Sequence, residues 1–363
     1  MNNPNINIRL EEFSLKVSVD GLGKDYQYAF YLYNGYKKVD TIWYGDDNFT
    51  QFDIEFQPGI LSVVCFIREC GSLESEIFKS KKIANFSLPR NYHISEGGLA
   101  EVLKKSSRFN VLTSNYNFPI YSNIQTFTKK SERLYIMLTA AVKPSDDLPV
   151  FNRLMWQDDF PGYFVAISDP SLLKIQKQSG GLGWYLGCAD HPMIFELAIL
   201  IRQIATLLSV DFSNVYVYGS SGAGFAAIKI ASAIDSLACA IAINSRVDVL
   251  QAQTKALDAF CMSNEISSIT QLEENYGDLL TVIPEVKSRS CRALIIQNTN
   301  DKYYYESQFK SLSEITGMPV HDINEEINLT CRMKLITYNG PEGHVGEDRK
   351  MLGRILTISD KLK

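Results

Sequence analysis

The run Val215-Tyr216-Val217-Tyr218-Gly219-Ser220-Ser221-Gly222-Ala223-Gly224-Phe225-Ala226-Ala227 constrains the fold more than any other stretch of the chain. It reads as a β-rich segment, a turn of very small residues, and then a helix of small residues. Such a strand-turn-helix must bend sharply, so the positions beside the turn tolerate little beyond Gly or Ala. Ser221 is centred in Gly219-x-Ser221-x-Ala223, with Ala at the last position, where Gly is usual. The pattern is that of a nucleophile elbow, which lifts one hydroxyl above the end of a sheet. Two nucleotide-binding readings fit less well. A P-loop requires Gly-Lys-Ser/Thr, but Phe225 follows Gly224. A dinucleotide fingerprint requires G-x-G-x-x-G, and the spacing here is G-x-x-G-x-G.

A serine hydroxyl needs a base to take its proton and a carboxylate to orient that base. In an open α/β sheet these groups sit on loops at the carboxyl ends of strands. Strands are expected over Leu134–Leu138, Tyr163–Ser168, Val215–Tyr218, Ala238–Ile243, Ala293–Gln297 and Lys334–Tyr338. Helices are expected near 192–208, 222–234, 266–280, 303–316 and 346–361. Apolar β-type runs alternating with helices from residue 131 onward imply an α/β fold with a mostly parallel sheet. After the last strand comes Gly340-Pro341-Glu342-Gly343-His344, a glycine-flanked loop that makes His344 the candidate base. His93 lies outside the α/β region, His191 precedes a helix, and His321 follows no legible strand. Asp301 follows the penultimate strand and is the candidate acid, with a helix N-cap as its other possible role. Asp248 is the runner-up, and Asp169 follows a strand that precedes the nucleophile. The order Ser221, Asp301, His344 is that of the α/β-hydrolases. Candidate oxyanion donors are the N–H groups of Gly222 and of Ala141 in Thr139-Ala140-Ala141-Val142, with Ala140 as the alternative.

The region before residue 91 has a different rhythm. Phe13–Val19 alternates apolar and polar residues, and short strands are expected at Tyr26–Tyr33, Thr41–Tyr44, Phe52–Phe56 and Ile60–Ile67. Turns at Asp20-Gly21, Asn34-Gly35, Gly45-Asp46-Asp47 and Pro58-Gly59 separate them, which suggests a small antiparallel sandwich. Tyr31, Tyr33, Trp43 and Tyr44 read as core or sheet-face residues in preference to a sugar platform. The expected organisation is a β-rich domain over 1–95, a linking and packing segment over 96–130, and a catalytic domain over 131–363.

Composition narrows the function. A net charge of −5 with no basic run argues against nucleic acid as the main partner. Seven scattered cysteines, an odd number with no C-x-x-C pair, read as reduced thiols of a cytoplasmic protein. The polar start, Met1-Asn2-Asn3-Pro4-Asn5, carries no secretion signal, and no apolar run suits a membrane span. Four histidines argue against a clustered-His metal site.

Several motifs occur together: Tyr218–Ala227, Gln297–Asp301, Gly340–His344, Pro149-Val150-Phe151-Asn152-Arg153, Ser168-Asp169-Pro170 and Gly183-Trp184-Tyr185-Leu186-Gly187. With them, residues 131 to 350 resemble bacterial α/β-hydrolase-type proteins of surface-polysaccharide and glycoconjugate biosynthesis. The stretch is similar to capsule O-acetyltransferases and, more distantly, to the hydrolase-like component of accessory Sec systems that export glycosylated adhesins. Ala140 departs from the pattern, where relatives often carry Gly. The resemblance implies acyl transfer on a carbohydrate, by an O-acetyltransferase or an esterase, through an acyl-serine and without metal or organic cofactor. Acetyl-CoA would be the donor for a transferase. A non-catalytic assembly or export component that keeps the fold is the other implied class. Arg153 and Trp184 are candidate substrate-lining residues, with a buried ion pair and core packing as their alternative roles.

Overall fold

The computed structural model describes residues 4–11, 14–22, 25–54, 59–85, 91–93, 98–126, 130–325 and 331–362. Phe13, Phe56 and Pro58, read above as strand or turn residues, lie outside the described residues, as does the side chain of His93. The chain divides into two compact units, Met1–Arg90 and Asn91–Lys363.

The first unit is a two-layer β sandwich. One sheet pairs Asn5–Glu11, Ser14–Asp20 and Phe49–Asp53 in antiparallel register. The other orders Lys37–Gly45, Tyr26–Asn34, Gly59–Glu69 and Glu76–Lys79, with Ile83–Asn85 also paired to Gly59–Glu69. Alternation along each strand sends Leu15, Val17, Val19 and Phe52 from one sheet against Tyr28, Phe30, Leu32, Val63 and Cys65 from the other. Burial of these side chains at about 25 cal/mol per Å² drives the layers together.

The second unit is built on a ten-stranded sheet. Its spatial order is Val320–Asp322, Met333–Tyr338, Arg292–Asn298, Cys239–Ile243, Val215–Ser220, Leu134–Leu138, Tyr163–Ile167, Asn117–Ser122, Arg108–Leu112 and Asn91–His93. Every neighbouring pair is parallel except those made by Asn117–Ser122, which is antiparallel to both neighbours. The central strands are buried on both faces, which is why they read as continuous apolar runs. The helix Leu352–Ser359 packs Leu352, Ile355 and Leu356 on one face, against Tyr216, Ile241, Ile296 and Ile336 among others. The helices Gly222–Ile234 and Met193–Leu208 pack against each other and cover the sheet elsewhere.

Three expectations need correction. Segment 96–130 is no linker, because Arg108–Leu112 and Asn117–Ser122 extend the large sheet and the helix Gly98–Lys105 precedes them. Its strands alternate fully buried and half-buried residues and so lack the apolar runs that mark the centre. His321 lies on a short edge strand, Val320–Asp322, whose three residues are too few to show a period. The last helix begins later than residue 346, because Val345–Asp348 stays in the loop and Asp348 caps the turn Arg349–Met351.

Candidate active site

Strand order decides where the site lies. Leu134–Leu138 sits between Tyr163–Ile167 and Val215–Ser220, so successive connections depart to opposite sides there. A crevice opens outside the carboxyl ends of strands at such a switch point. The loops carrying Ala141, Ser221, Asp301 and His344 all follow strands at that end.

Ser221 closes Val215–Ser220 and immediately precedes the helix Gly222–Ile234, with φ 56° and ψ −125°. That left-handed φ is strained for a side chain other than Gly and is held by its surroundings. Ser221 N–H donates to Ile243 O at 2.9 Å, and Ser221 O accepts from Gly224 N–H at 3.1 Å and Arg246 N–H at 3.3 Å. Small flanking residues are obligatory. A Cβ on Gly219 would lie 2.1 Å from Ala223 O, and one on Gly224 would lie 2.9 Å from Ser245 Cβ. Gly222 opens the helix, where N–H groups lack intrahelical acceptors and the helix dipole favours negative charge.

Asp301 and His344 come together although 43 residues separate them, with His344 Nδ1 2.5 Å from Asp301 Oδ2. The Asp301 side chain is 4% exposed and the His344 side chain 37%, so the carboxylate is shielded while the imidazole reaches solvent. Asp301 also caps the following helix, accepting from Tyr304 N–H through Oδ1 at 3.4 Å. Tyr304 lays its ring along His344, with centroids 4.0 Å apart and an interplanar angle of 21°. The Tyr304 hydroxyl accepts from Arg246 Nη2 at 2.5 Å.

Buried asparagines shape the loop that carries His344. Asn298 Oδ1 accepts from Gly340 N–H at 2.9 Å, and its Nδ2 donates to Pro341 O at 2.7 Å. Asn244 Nδ2 donates to Val345 O at 2.7 Å and to Tyr338 Oη at 3.1 Å. The serine turn and the histidine loop are therefore both anchored at one strand end. Ser221 bonds Ile243, and the next residue, Asn244, bonds the residue after His344.

The loop after Leu134–Leu138 is fixed at both ends. Thr139 N–H donates to Tyr185 Oη at 2.7 Å, and Val142 N–H donates to Gly181 O at 2.8 Å. Ala140 is half-buried and Ala141 exposed between these ties. A Cβ on Gly181 would fall 1.8 Å from Val142 O, so Gly is needed there. Tyr185 in turn donates from Oη to Ile167 O at 2.6 Å, and its N–H donates to Asp169 Oδ2 at 3.0 Å. Asp169 is thus a buttress of this loop, and burial raises its carboxyl pKa above the usual range. Asp248, the runner-up acid, caps Leu250 N–H at 2.8 Å.

The two candidate substrate-lining residues are placed otherwise. Trp184 is fully buried and packs edge-on against Phe260, so it belongs to the core. Trp184 and Tyr185, at φ 52° and 55° in this glycine-rich segment, are both fully buried. Arg153 pairs with Glu347 through two hydrogen bonds, Nε to Oε1 at 2.7 Å and Nη2 to Oε2 at 2.8 Å. Tyr218 Oη donates to the same carboxylate at 2.5 Å, and the Arg153 guanidinium lies 4.9 Å over the Tyr218 ring. Burial and Glu347 push the Tyr218 hydroxyl pKa up. This cluster ties the loop three residues beyond His344 to the strand below the elbow. Sequence reading passed over Tyr304, Arg246, Asn244 and Glu347, and named Asn298 only as part of Gln297–Asp301. Their signal was their place just after strand ends, which no motif marks.

Among the described residues no group of three or more His, Cys, Asp or Glu side chains could hold a metal ion. Among them, too, no helix is long and apolar enough to cross a membrane.

The chain matches no protein-family model and no curated protein sequence. Among solved structures it is similar to the capsule O-acetyltransferase of Neisseria meningitidis serogroup A, at 15% identity and a TM-score of 0.47 over 68% of this chain and 91% of that one. It is similar to the glycosylation-associated Gap123 complex of Streptococcus agalactiae, at 11% identity and a TM-score of 0.47 over 94% and 67%. It is also similar to a 2,6-dihydroxy-pseudo-oxynicotine hydrolase, at 12% identity and a TM-score of 0.46 over 70% and 66%. The strand order, the antiparallel strand Asn117–Ser122 and the elbow after Val215–Ser220 define an α/β-hydrolase fold.

Proposed function

We propose that the protein is a serine-dependent acyl-transfer enzyme acting on a carbohydrate. Asp301 holds the Nδ1 side of His344, leaving Nε2 as the nitrogen that accepts the proton of Ser221. Ser221 Oγ attacks an ester or thioester carbonyl, and the carbonyl oxygen becomes an oxyanion held by the N–H groups of Gly222 and Ala141. Collapse breaks the bond to the leaving group, which takes the proton from His344 and departs. The acyl-Ser221 ester is then attacked by a sugar hydroxyl or by water. His344 takes the attacker's proton and returns it to Ser221. Acetyl-CoA is the donor if a sugar is the acceptor, and deacetylation is the outcome if water is.

The observation that carries this reading is the shared anchor of Ser221 and the His344 loop at Ile243-Asn244, with Asp301 2.5 Å from His344. The sugar acceptor rests on the motifs resembling capsule O-acetyltransferases. A cytoplasmic location rests on the seven cysteines, all of which are free thiols. A fluorophosphonate should label Ser221, and Ser221→Ala should abolish labelling in a folded protein. Labelling at Ser220 would overturn the choice of nucleophile, and no labelling of a folded sample would return the chain to the class of non-catalytic assembly components.

A further inference from the structure

The outward face of the five-stranded sheet in the first unit departs from what a solvated sandwich face should be. In such a sheet, inward apolar residues alternate with outward polar ones. Here the strands Tyr26–Asn34 and Gly59–Glu69 are apolar on both sides. Tyr28, Phe30 and Leu32 point into the core while Tyr31 and Tyr33 point out, and Val63 and Cys65 point in while Val64 and Phe66 point out. Cross-strand register sets Tyr31 beside Val64, and Phe66 beside Ile77. Tyr31 lies 4.7 Å from Phe66 and meets Trp43 edge-on at 5.9 Å. Trp43 is 69% exposed and Ile77 58%. Their position on a continuous aromatic strip gives this exposure a meaning that scattered surface apolar residues lack.

Cations frame the strip. Lys38 Nζ lies 4.2 Å from the Tyr31 ring centroid, and the Arg68 guanidinium lies 3.9 Å from that of Tyr44. Lys79 faces outward beside Val64. None of these three makes an ion pair among the described residues. Arg68 instead donates twice to Gln27 Oε1, and Gln27 in turn donates to Asp46 Oδ1 at 3.2 Å. Thr41 and Ser62 add hydroxyls to the same face, beside Tyr31 and Tyr33. Pairing this face with a second copy would bring together two patches that each carry Lys38, Arg68 and Lys79, which disfavours self-association.

We infer that this face binds an acidic polysaccharide. Aromatic rings contact the apolar C–H faces of pyranose rings, hydroxyl and amide groups match sugar hydroxyls, and the three cations meet carboxylates or phosphodiesters along the chain. A strip that runs across several strands suits an extended polymer better than a single sugar. The inference is independent of the acyl chemistry, since it concerns the sandwich alone.

The test is calorimetric titration of full-length Ser221→Ala protein, so that no turnover confuses binding. The probes are oligogalacturonate and oligosialate as acidic glycans, a maltooligosaccharide as the neutral one, and a polyglutamate peptide as an acidic non-sugar. The acidic glycans should bind and the other two should not. Trp43→Ala and Phe66→Ala should each weaken binding by about tenfold or more. Lys38→Glu should weaken it too, and salt raised from about 0.05 to 0.5 M should reproduce that loss. Circular dichroism would verify that each variant is folded, and the exposed Trp43 and Lys38 can be changed without opening the core. Failure of both acidic glycans to bind, equal binding of maltooligosaccharide or polyglutamate, or a dimer abolished by Trp43→Ala would each overturn the inference.

Discussion

Arg153 supplies the sharpest test of the structural reading, because sequence allowed it two roles with opposite consequences. As a substrate ligand it would contribute to KM and little to stability. In the structure its side chain is 11% exposed and that of Glu347 is fully buried, joined by two hydrogen bonds of 2.7 and 2.8 Å. Arg153→Ala removes the cation and leaves the Glu347 carboxylate with the Tyr218 hydroxyl as its hydrogen-bond partner. Breaking a buried pair from one side costs about 3–5 kcal/mol, because an uncompensated charge stays behind. For a unit of this size, that corresponds to a fall in Tm of about 5–9 °C. Arg153→Met combined with Glu347→Gln removes both charges and should recover a large part of the loss. Differential scanning calorimetry of the wild type, the single variants and the double variant gives the coupling directly. A melting point for Arg153→Ala within a degree or two of wild type, together with a raised KM for an acylated substrate, would refute the structural role and restore the substrate-binding one.

Asp301→Asn and His344→Ala should each lower acyl transfer by about 10³ to 10⁴, with the double variant little worse than either single, as groups acting together do. Normal turnover in Asp301→Asn alongside loss in Asp248→Asn would show the acid to be misassigned. Tyr304→Leu should lower kcat with KM nearly unchanged and remove the upfield ring-current shift of the His344 ring protons in NMR spectra. Tyr304→Phe should keep that shift, and an unchanged His344 spectrum in Tyr304→Leu would refute the stacking role.

How much of this was legible without coordinates varies with how local the cause is. The elbow was legible because its run of small residues lies within a few positions, although only Gly219 is constrained locally, by Ala223 O, while a Cβ on Gly222 or Gly224 would meet Leu182 or Ser245 from elsewhere in the chain. The helix Gly222–Ile234 and the strand Leu134–Leu138 have the boundaries expected from periodicity, because both are buried and strongly patterned. Asp301 and His344 were legible as loop residues after strands, and their 2.5 Å approach follows once those strands are neighbours in a parallel sheet. The segment 96–130 was not legible, because marginal strands gain their partners from elsewhere in the chain. Trp184 and Arg153 could not be assigned for the same reason. Whether an indole or a guanidinium faces solvent depends on Phe260 and Glu347, which stand 76 and 194 residues away. Sequence by itself determined the central strands and the helix after the elbow, the serine turn and the order of the candidate residues, since short-range sterics and periodic burial set them. Only the tertiary structure decided that Asn244 ties the serine turn to the histidine loop, that Tyr304 covers His344, and that Arg153 is spent on a buried carboxylate. Those relations depend on side chains meeting across strand ends, and no local rule encodes them.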